Sequence, residues 1–528
     1  MLIPEEDEQY HTFVSRLLLQ LGENGKLQKT LLMAGILVCM GACTINFSLS
    51  FIFFDSDFEC LQDDGSYEEC TQDFACNEAT AFKFSSDIHS LVQEHDLMCD
   101  RRWMKTWGLN IVFIFSAIAF TVIVMVMERY GRKLSFWVVI ILTLTGSVLT
   151  IIPSNYWVDV VGISIMYAMA YTVLTIFYIY STEVFNKKWR SIGNAAILLV
   201  YYFFRVVYVL INLPITDYKV NYYLMLGFAL VLFPFVFFLV ESPNFLYRQG
   251  DIEGLRKNLK YFNAKNNGND KELKEENDLL IDRELDNLKE ERDRIEQDKE
   301  KEEFGKDGDE ERSQTQVSKQ GRLEKIEKAP LFTKELTLWN YTVHITLIIL
   351  TVIPLYVGDS LIETVPQKLG INDIFIASIC FVGAIVISNA IMLCTLHKIK
   401  RKKGNLVIVA IIVAICILFF IFNIAKLHEK DSIRLLMFGL TVFVVGLAIA
   451  QFLIITRYVN EVFPTALRAI SISLVLLFGR MSMFIGNFID VMAEQTEYHP
   501  VIFAGILYVL TSPAYFRYVE TVGTLTKD

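Results

Sequence analysis

EVFNKKWR at residues 183–190 and EVFPTALR at residues 461–468 are nearly the same string, and each stands between two long apolar runs. Matching Glu183 to Glu461 and Arg190 to Arg468 superposes the chain on itself at one constant displacement of 278 residues (183 to 461, 190 to 468). Each string follows the fourth apolar run of its half and ends in the arginine that opens the fifth. A duplicated six-segment unit leaves that mark.

The rest of the chain has the composition such a unit needs. Of 528 residues, 53% are hydrophobic and 13% aromatic, and the mean hydropathy is +0.40; this is too apolar for a soluble protein of that length. A membrane-spanning helix takes about 20 mostly apolar residues. Twelve such runs are predicted, at 30–54, 107–127, 134–152, 158–181, 191–212, 221–240, 339–358, 372–396, 404–424, 433–458, 467–490 and 499–519. The fold class that follows is an all-α polytopic membrane protein of two six-helix bundles. Its expected parts are a leader at 1–29, a first bundle at 30–240 with a large loop at 55–106, a charged linker at 241–338, a second bundle at 339–519 and a tail at 520–528. Two six-helix units related by an axis along the membrane normal are the plan of major facilitator transporters.

The formal charge of −10 is concentrated in one place. Residues 270–312 hold about twenty acids against ten bases, so the membrane part is near neutral and carries no nucleic-acid footprint. That stretch is the expected docking segment for a protein partner. Within the linker, Ile281, Leu288 and Ile295 repeat every seven residues with Leu285 between them, which reads as a solvated charged helix, with a short coiled coil as the alternative. The first residues are acidic and no cleavage site follows the first run, so that run is expected to serve as an uncleaved insertion signal.

Basic residues set the expected orientation. Arg129, Arg132 and Lys133 follow the second run, Lys187, Lys188 and Arg190 the fourth, and Lys398, Lys400, Arg401, Lys402 and Lys403 the eighth. These loops and both termini are expected on the cytosolic side of a plasma membrane or endomembrane. Cys60, Cys70, Cys76 and Cys99 then fall in the opposite, large loop. Two disulfides are expected there, with three connectivities open; a four-thiolate zinc site is the weaker alternative, since no Cys-x-x-Cys pair occurs.

Charges at the ends of the repeated strings oppose the helix dipole: a glutamate closes one helix and an arginine opens the next. Pairing among Glu183, Arg190, Glu461 and Arg468, or with Glu128 and Arg132, would offset that cost. These six residues are the candidate cytoplasmic gate.

Four segments resemble the organic ion transporters of the solute carriers, the branch with organic anion, organic cation and carnitine transporters. They are LGENGKLQK (21–29), DLMCDRRW (96–103), ESPNFLYRQG (241–250) and ETVGTLTKD (520–528). ERYGRK at 128–133 is similar to the loop between the second and third spans of the wider major facilitator superfamily. The third segment has Asn244 and Phe245 where Arg and Trp are usual. The resemblance implies alternating access by two rocking bundles, with no cofactor and no catalytic chemistry.

Arginines inside apolar runs are costly and default to functional candidates. Arg480 and Arg205 each lie about 20 Å along their runs at 1.5 Å per residue. The repeat places Arg205 opposite Met483, one turn from Arg480. Arg480 falls where the resembling anion transporters keep an arginine, and Asn389 where they often have lysine. A guanidinium in a partly dry cavity suits carboxylate or sulfate recognition; the competing partners are Asp159, Asp359, Glu363 and Asp490. Tyr171, Tyr201 and Tyr356 are candidate cavity aromatics, and Gln451 a neutral hydrogen-bonding one.

The expected function is transport of a small organic ion, anionic or zwitterionic. A membrane scaffold derived from a transporter is the second reading, favoured by the glycines missing from the second span. A sugar porter is the third. No Walker A string, His-Glu-x-x-His or nucleophile elbow occurs, so an enzyme has no support.

Overall fold

The computed structural model describes residues 13–21, 25–54, 58–61, 66–70, 72–77, 81–84, 89–152, 155–184, 187–267, 270–304, 338–361, 369, 374–395, 399–425, 430–463, 465–496 and 499–519. After a short helix α1 (Phe13–Gln20) comes the first long apolar helix, α2 (Lys26–Ile52). The large loop follows, with β1 (Phe58–Leu61), β2 (Tyr67–Cys70), α3 (Gln72–Asn77), β3 (Phe82–Phe84) and α4 (Leu91–Glu94). Five long helices complete the first half: α5 (Arg102–Tyr130), α6 (Arg132–Ile151), α7 (Tyr156–Val184), α8 (Lys187–Asn212) and α9 (Lys219–Phe238). The linker forms α10 (Pro243–Gln249), α11 (Ile252–Asn267) and α12 (Lys271–Phe304). The second half is α13 (Leu338–Ser360), α14 (Ile374–Thr395), α15 (Arg401–Ile424), α16 (Asp431–Val462), α17 (Thr465–Thr496) and α18 (Pro500–Phe516).

Among the described residues nine helices are long and apolar enough to cross a membrane, and shorter apolar stretches in α8, α14 and α18 match the other three predicted runs. In hydrocarbon the backbone must satisfy itself, which only a helix does along a single segment. The outward faces accordingly carry exposed apolar side chains such as Trp339, Ile387, Leu435 and Leu510. Buried apolar residues gather into two large clusters. One runs from Val14 to Leu288 and takes in Met483 of α17; the other runs from Ile345 to Tyr518.

The duplication is visible in helix ends. α7 stops at Val184 and α16 at Val462, while α8 starts at Lys187 and α17 at Thr465, the same displacement of 278 in both cases (184 to 462, 187 to 465). The halves meet where α5 packs on α17 and α8 on α14. Asn487 Nδ2 donates to Asn110 Oδ1 across the first of these seams at 2.8 Å.

The loop forms a three-stranded antiparallel sheet of order β2-β1-β3. Cys60 bonds Cys70 across β1 and β2, and Cys76 bonds Cys99 at the entry to α5. All four thiols are thereby used, which displaces the zinc alternative. The DLMCD string is where the chain is most constrained, since Asp96 and Cys99 both sit at φ 49°, a region non-glycine residues enter only when their surroundings hold them there. The surroundings here are the Cys76 bond and the docking of the loop on the bundle. His95 Nε2 lies 3.2 Å from Asp159 Oδ2 of α7, and Glu94 accepts from Lys219 Nζ and Tyr218 Oη.

In the linker, Ser242 caps α10 by accepting from Phe245 N, and Gly250 ends it in the left-handed region at φ 75°. α11 and α12 then form an antiparallel pair. Leu255, Leu259 and Phe262 pack with Ile281, Leu285 and Leu288. Arg256 bridges Asp282 at 2.7 Å and Asp286 at 2.6 Å, and Lys260 reaches Asp282 at 2.8 Å. The hydrogen bond from Lys260, with Arg256 beside it, holds the Asp282 carboxyl below its usual range. The predicted solvated helix is thus half of a packed pair over that stretch. The tail, the leader before Phe13 and residues 305–337 lie outside the described residues.

Replacing Cys76 by Ser opens a loop closed over 23 residues. Constraint of the unfolded chain alone gives that bond about 3 kcal/mol. We expect one newly alkylatable thiol, located by mass spectrometry at Cys99 and not at Cys60 or Cys70, with a lowered thermal midpoint.

Candidate functional site

Arg480 lies halfway along α17, between helices that leave a guanidinium no water to hide in. It is 5% exposed. Its guanidinium rests against the ring of Tyr171, with Tyr167 at 5.6 Å and Tyr356 at 6.0 Å from their ring centres. Nη1 donates to Tyr167 Oη at 3.4 Å. Tyr167 and Tyr171 come from α7 in the first half and Tyr356 from α13 in the second, so both halves build one cage. Tyr356 fits because its partner across the contact is Gly479, where a Cβ would stand 2.6 Å from the ring.

Three ring faces are worth about 0.5–2 kcal/mol each to a cation, whereas desolvating the ion costs several kcal/mol. Among the described residues no carboxylate pairs with Arg480. Of the competing acids, Asp159 is bound to His95 in the loop, and Asp490 lies ten residues along α17, about 15 Å. The side chain of Asp359, and the whole of Glu363, lie outside the described residues.

Tyr201 of α8 extends the cage toward Arg205. It is within electrostatic reach of Arg480, its ring is 6.0 Å from that of Phe47 on α2, and its hydroxyl accepts from Asn46 Nδ2 at 2.8 Å. Arg205, one turn beyond Tyr201, is 6% exposed and holds its guanidinium over Phe47 at 3.9 Å. α8 ends at Asn212 as the apolar run predicts, seven residues past Arg205, which places that arginine about 10 Å from the helix end. Neighbouring Tyr202 packs against the apolar clusters of both halves, as does Tyr356.

Two other candidates are used elsewhere. Asn389 Nδ2 donates to Ile385 O of its own helix at 2.9 Å. Gln451 Nε2 donates to Tyr515 Oη, which donates to Thr351 O at 3.1 Å; Thr351 in turn meets Tyr518 Oη at 2.6 Å. This network stays within the second half. No described contact joins either amide to the Arg480 cage.

Of the six gate candidates, Glu128, Arg132 and Glu183 come together, while the side chains of Arg190, Glu461 and Arg468 lie outside the described residues. Arg132 opens α6 and is 1% exposed. Its Nε and Nη2 donate to the two oxygens of Glu183 at 3.0 and 2.7 Å; Nη2 also reaches Glu128 Oε1 at 3.3 Å, and Nη1 reaches Met127 O. Its backbone N–H and that of Lys133 donate to Glu241 at 2.8 and 3.1 Å. A carboxylate on the first N–H groups of α6 favours the dipole that Arg132 opposes. Gly131 makes room for it, at φ 102°, where a Cβ would run into Glu241. Arg248 of α10 adds a second cation on Glu183 at 3.3 Å, and Phe245 stacks under Arg132 at 5.0 Å.

Glu241, Phe245 and Arg248 belong to ESPNFLYRQG, a string quoted above only for its likeness; its spacing after the sixth run was the available signal. Tyr167, Phe47, Asn110 and Asn487 carried none, because in sequence each is one more aromatic or amide in an apolar run.

Arg132→Ala leaves Glu183 without its buried cation, which costs roughly 3–5 kcal/mol when a buried pair is broken. Arg248 is 49% exposed on its side chain, and its removal costs under about 1 kcal/mol. Thermal unfolding of the purified protein should therefore show Arg248→Ala close to wild type and Arg132→Ala with a clearly lower midpoint, or no folded protein at all.

The family model for the Major Facilitator Superfamily matches residues 104–487. The Caenorhabditis elegans protein "Putative transporter B0361.11" is 24% identical over 178 residues, which are 34% of this chain and 31% of that protein; the chain thus spans about a third of the length of this curated relative. Among solved structures, the xylose transporter XylE from E. coli in its inward open conformation covers 94% of this chain with 97% of its own, at a TM-score of 0.57 and 13% identity. Its partially occluded inward open form covers 97% with 100% of its own, at a TM-score of 0.60 and again 13% identity. At that identity the likeness is one of fold. With the two bundles, their seams and a family match over most of the chain, the protein belongs to the Major Facilitator Superfamily.

Proposed function

We propose that the chain carries a small organic anion, or a zwitterion through its acidic group, across the membrane, with Arg480 as the anion-binding residue. One observation carries the reading: a guanidinium buried between the two halves has tyrosine faces around it and no carboxylate partner among the described residues. A carboxylate or sulfate of the solute supplies the missing charge by a two-point hydrogen bond, and Tyr171, Tyr167 and Tyr356 supply flat apolar faces for an aromatic body. Tyr201 and Arg205 extend the same surface. Asn389 and Gln451 act through their own networks rather than on the solute.

Access alternates as the halves rock about this site. The basic loops support a cytosolic placement of the Arg132 end and of both termini, and the paired cysteines at the opposite end fit an oxidising compartment. The Arg132 cluster then braces the cytosolic end of the first half. A gate with Arg190, Glu461 and Arg468 would add the second half to it.

Uptake of labelled organic anions, cations and sugars into vesicles holding the purified protein tests the reading. We expect accumulation of aromatic carboxylates, falling tenfold to a hundredfold in Arg480→Ala, the worth of a charge-assisted hydrogen bond of about 1.5–3 kcal/mol. Uptake of cations or sugars unaffected by that substitution would refute the site, and a protein that accumulates nothing would favour the scaffold reading.

The seam between α5 and α17 offers a second test. Asn110→Cys with Asn487→Cys places two thiols where the side chains now touch. Oxidation of that pair should stop uptake and reduction restore it; full uptake by the cross-linked protein would exclude motion at this seam.

A further inference from the structure

A cavity separate from the Arg480 cage opens at the Arg132 end of the first half, among α2, α6, α7 and α9. Its volume is about 210 Å³, and its walls are almost wholly apolar, with Leu31, Val38, Ile140, Phe177 and Val236 among them. An apolar void of about 150 Å³ stays dry and accepts benzene, so this one is large enough to hold hydrocarbon and too apolar to hold water. From Lys26 to Val38 it runs about 18 Å along α2. The polar lining is confined to one end, where Lys26 and Thr30 of α2 meet Tyr261 and Lys265 of α11. The Thr30 hydroxyl is spent on Lys26 O at 2.9 Å, so it adds no polarity to the cavity.

Both lysines are exposed, and among the described residues neither pairs with a carboxylate. Lys265 lies over the Tyr261 ring at 5.6 Å, an arrangement of aromatic and base typical of the membrane–water boundary. α11 is held at this place: Asn266 Oδ1 accepts from Leu27 N at 3.1 Å, and Asn267 Nδ2 donates to Leu21 O at 3.1 Å. The two-lysine mouth is therefore part of the packed structure.

We infer that this cavity is a binding site for one anionic phospholipid, with an acyl chain between α2, α6, α7 and α9 and its phosphate at Lys26 and Lys265. An apolar slot along a spanning helix takes hydrocarbon from the bilayer with no desolvation cost, and two ammonium groups at its mouth, unpaired among the described residues, select for negative charge on the headgroup. This rests on the chain spanning a bilayer and is independent of the solute bound at Arg480.

Native mass spectrometry of the full chain, incubated with phosphatidylglycerol or with phosphatidylcholine of the same acyl length, tests it. Wild type should retain one phosphatidylglycerol in preference to phosphatidylcholine. Lys26→Gln with Lys265→Gln should weaken that retention about 25-fold, at roughly fivefold per lysine, and reduce the preference. Ala34→Phe, which fills the slot from α2, should lose both lipids while both disulfides and a single elution peak report a folded protein. Equal retention of the two lipids by wild type, or undiminished phosphatidylglycerol on the double lysine variant, would overturn the headgroup assignment and with it the proposal. So would competition by glycerophosphoglycerol, which has the headgroup and no acyl chain.

Discussion

One buried arginine ties most of the first half together. Arg132 stands at the first turn of α6 and binds the end of α5 through Met127 O and Glu128, the end of α7 through Glu183, and α10 through Phe245. Its own backbone N–H is held by Glu241, in the segment that leaves α9. A charge removed from water is stable only where partners replace the hydration it has lost. Here the carboxylates of Glu183 and Glu128 and the carbonyl of Met127 do so, from the ends of α7 and α5. The relative placement of α5, α6, α7 and α10 follows from satisfying one side chain.

Arg480 shows the same chemistry left incomplete. It is nearly as buried as Arg132, yet it faces tyrosine rings and a single hydroxyl. The contrast separates the two roles that an arginine can take inside such a protein. Where carboxylates from the chain surround it, the guanidinium is a structural joint. Where the chain supplies ring faces and one hydroxyl, as around Arg480, the electrostatic demand of the guanidinium is only partly met within the described residues.

Much of this was legible before the fold was known, and for specific reasons. The apolar runs located the helices because a bilayer demands length and hydrophobicity from every segment. The EVF strings gave the displacement that the ends of α7 and α16, and the starts of α8 and α17, reproduce. Helix starts were less legible: α2, α5, α8 and α15 begin with Lys26, Arg102, Lys187 and Arg401, basic residues that reach the interface and so belong to helices without belonging to apolar runs. Arg480 was legible as a charge among apolar residues. The amide partners of Asn389 and Gln451, Ile385 O and Tyr515 Oη, were not legible, because sequence does not say which carbonyl or hydroxyl is near. The leucines and isoleucines of α12 signalled a buried face, but its partner α11 could be named only once the chain had turned back.

The attachments to the helices are unevenly distributed. At one end the first half carries the disulfide-bonded sheet, held to it through His95 and Glu94; at the other it carries α1 and the α10–α12 collar, held through Arg132, Asn266 and Asn267. Among the described residues the second half has no comparable sheet or collar. Two bundles equal in ancestry are thus unequal in mechanical load. In any movement of one against the other, the sheet and the collar travel with the first half, so the two bodies differ in bulk although their helices correspond.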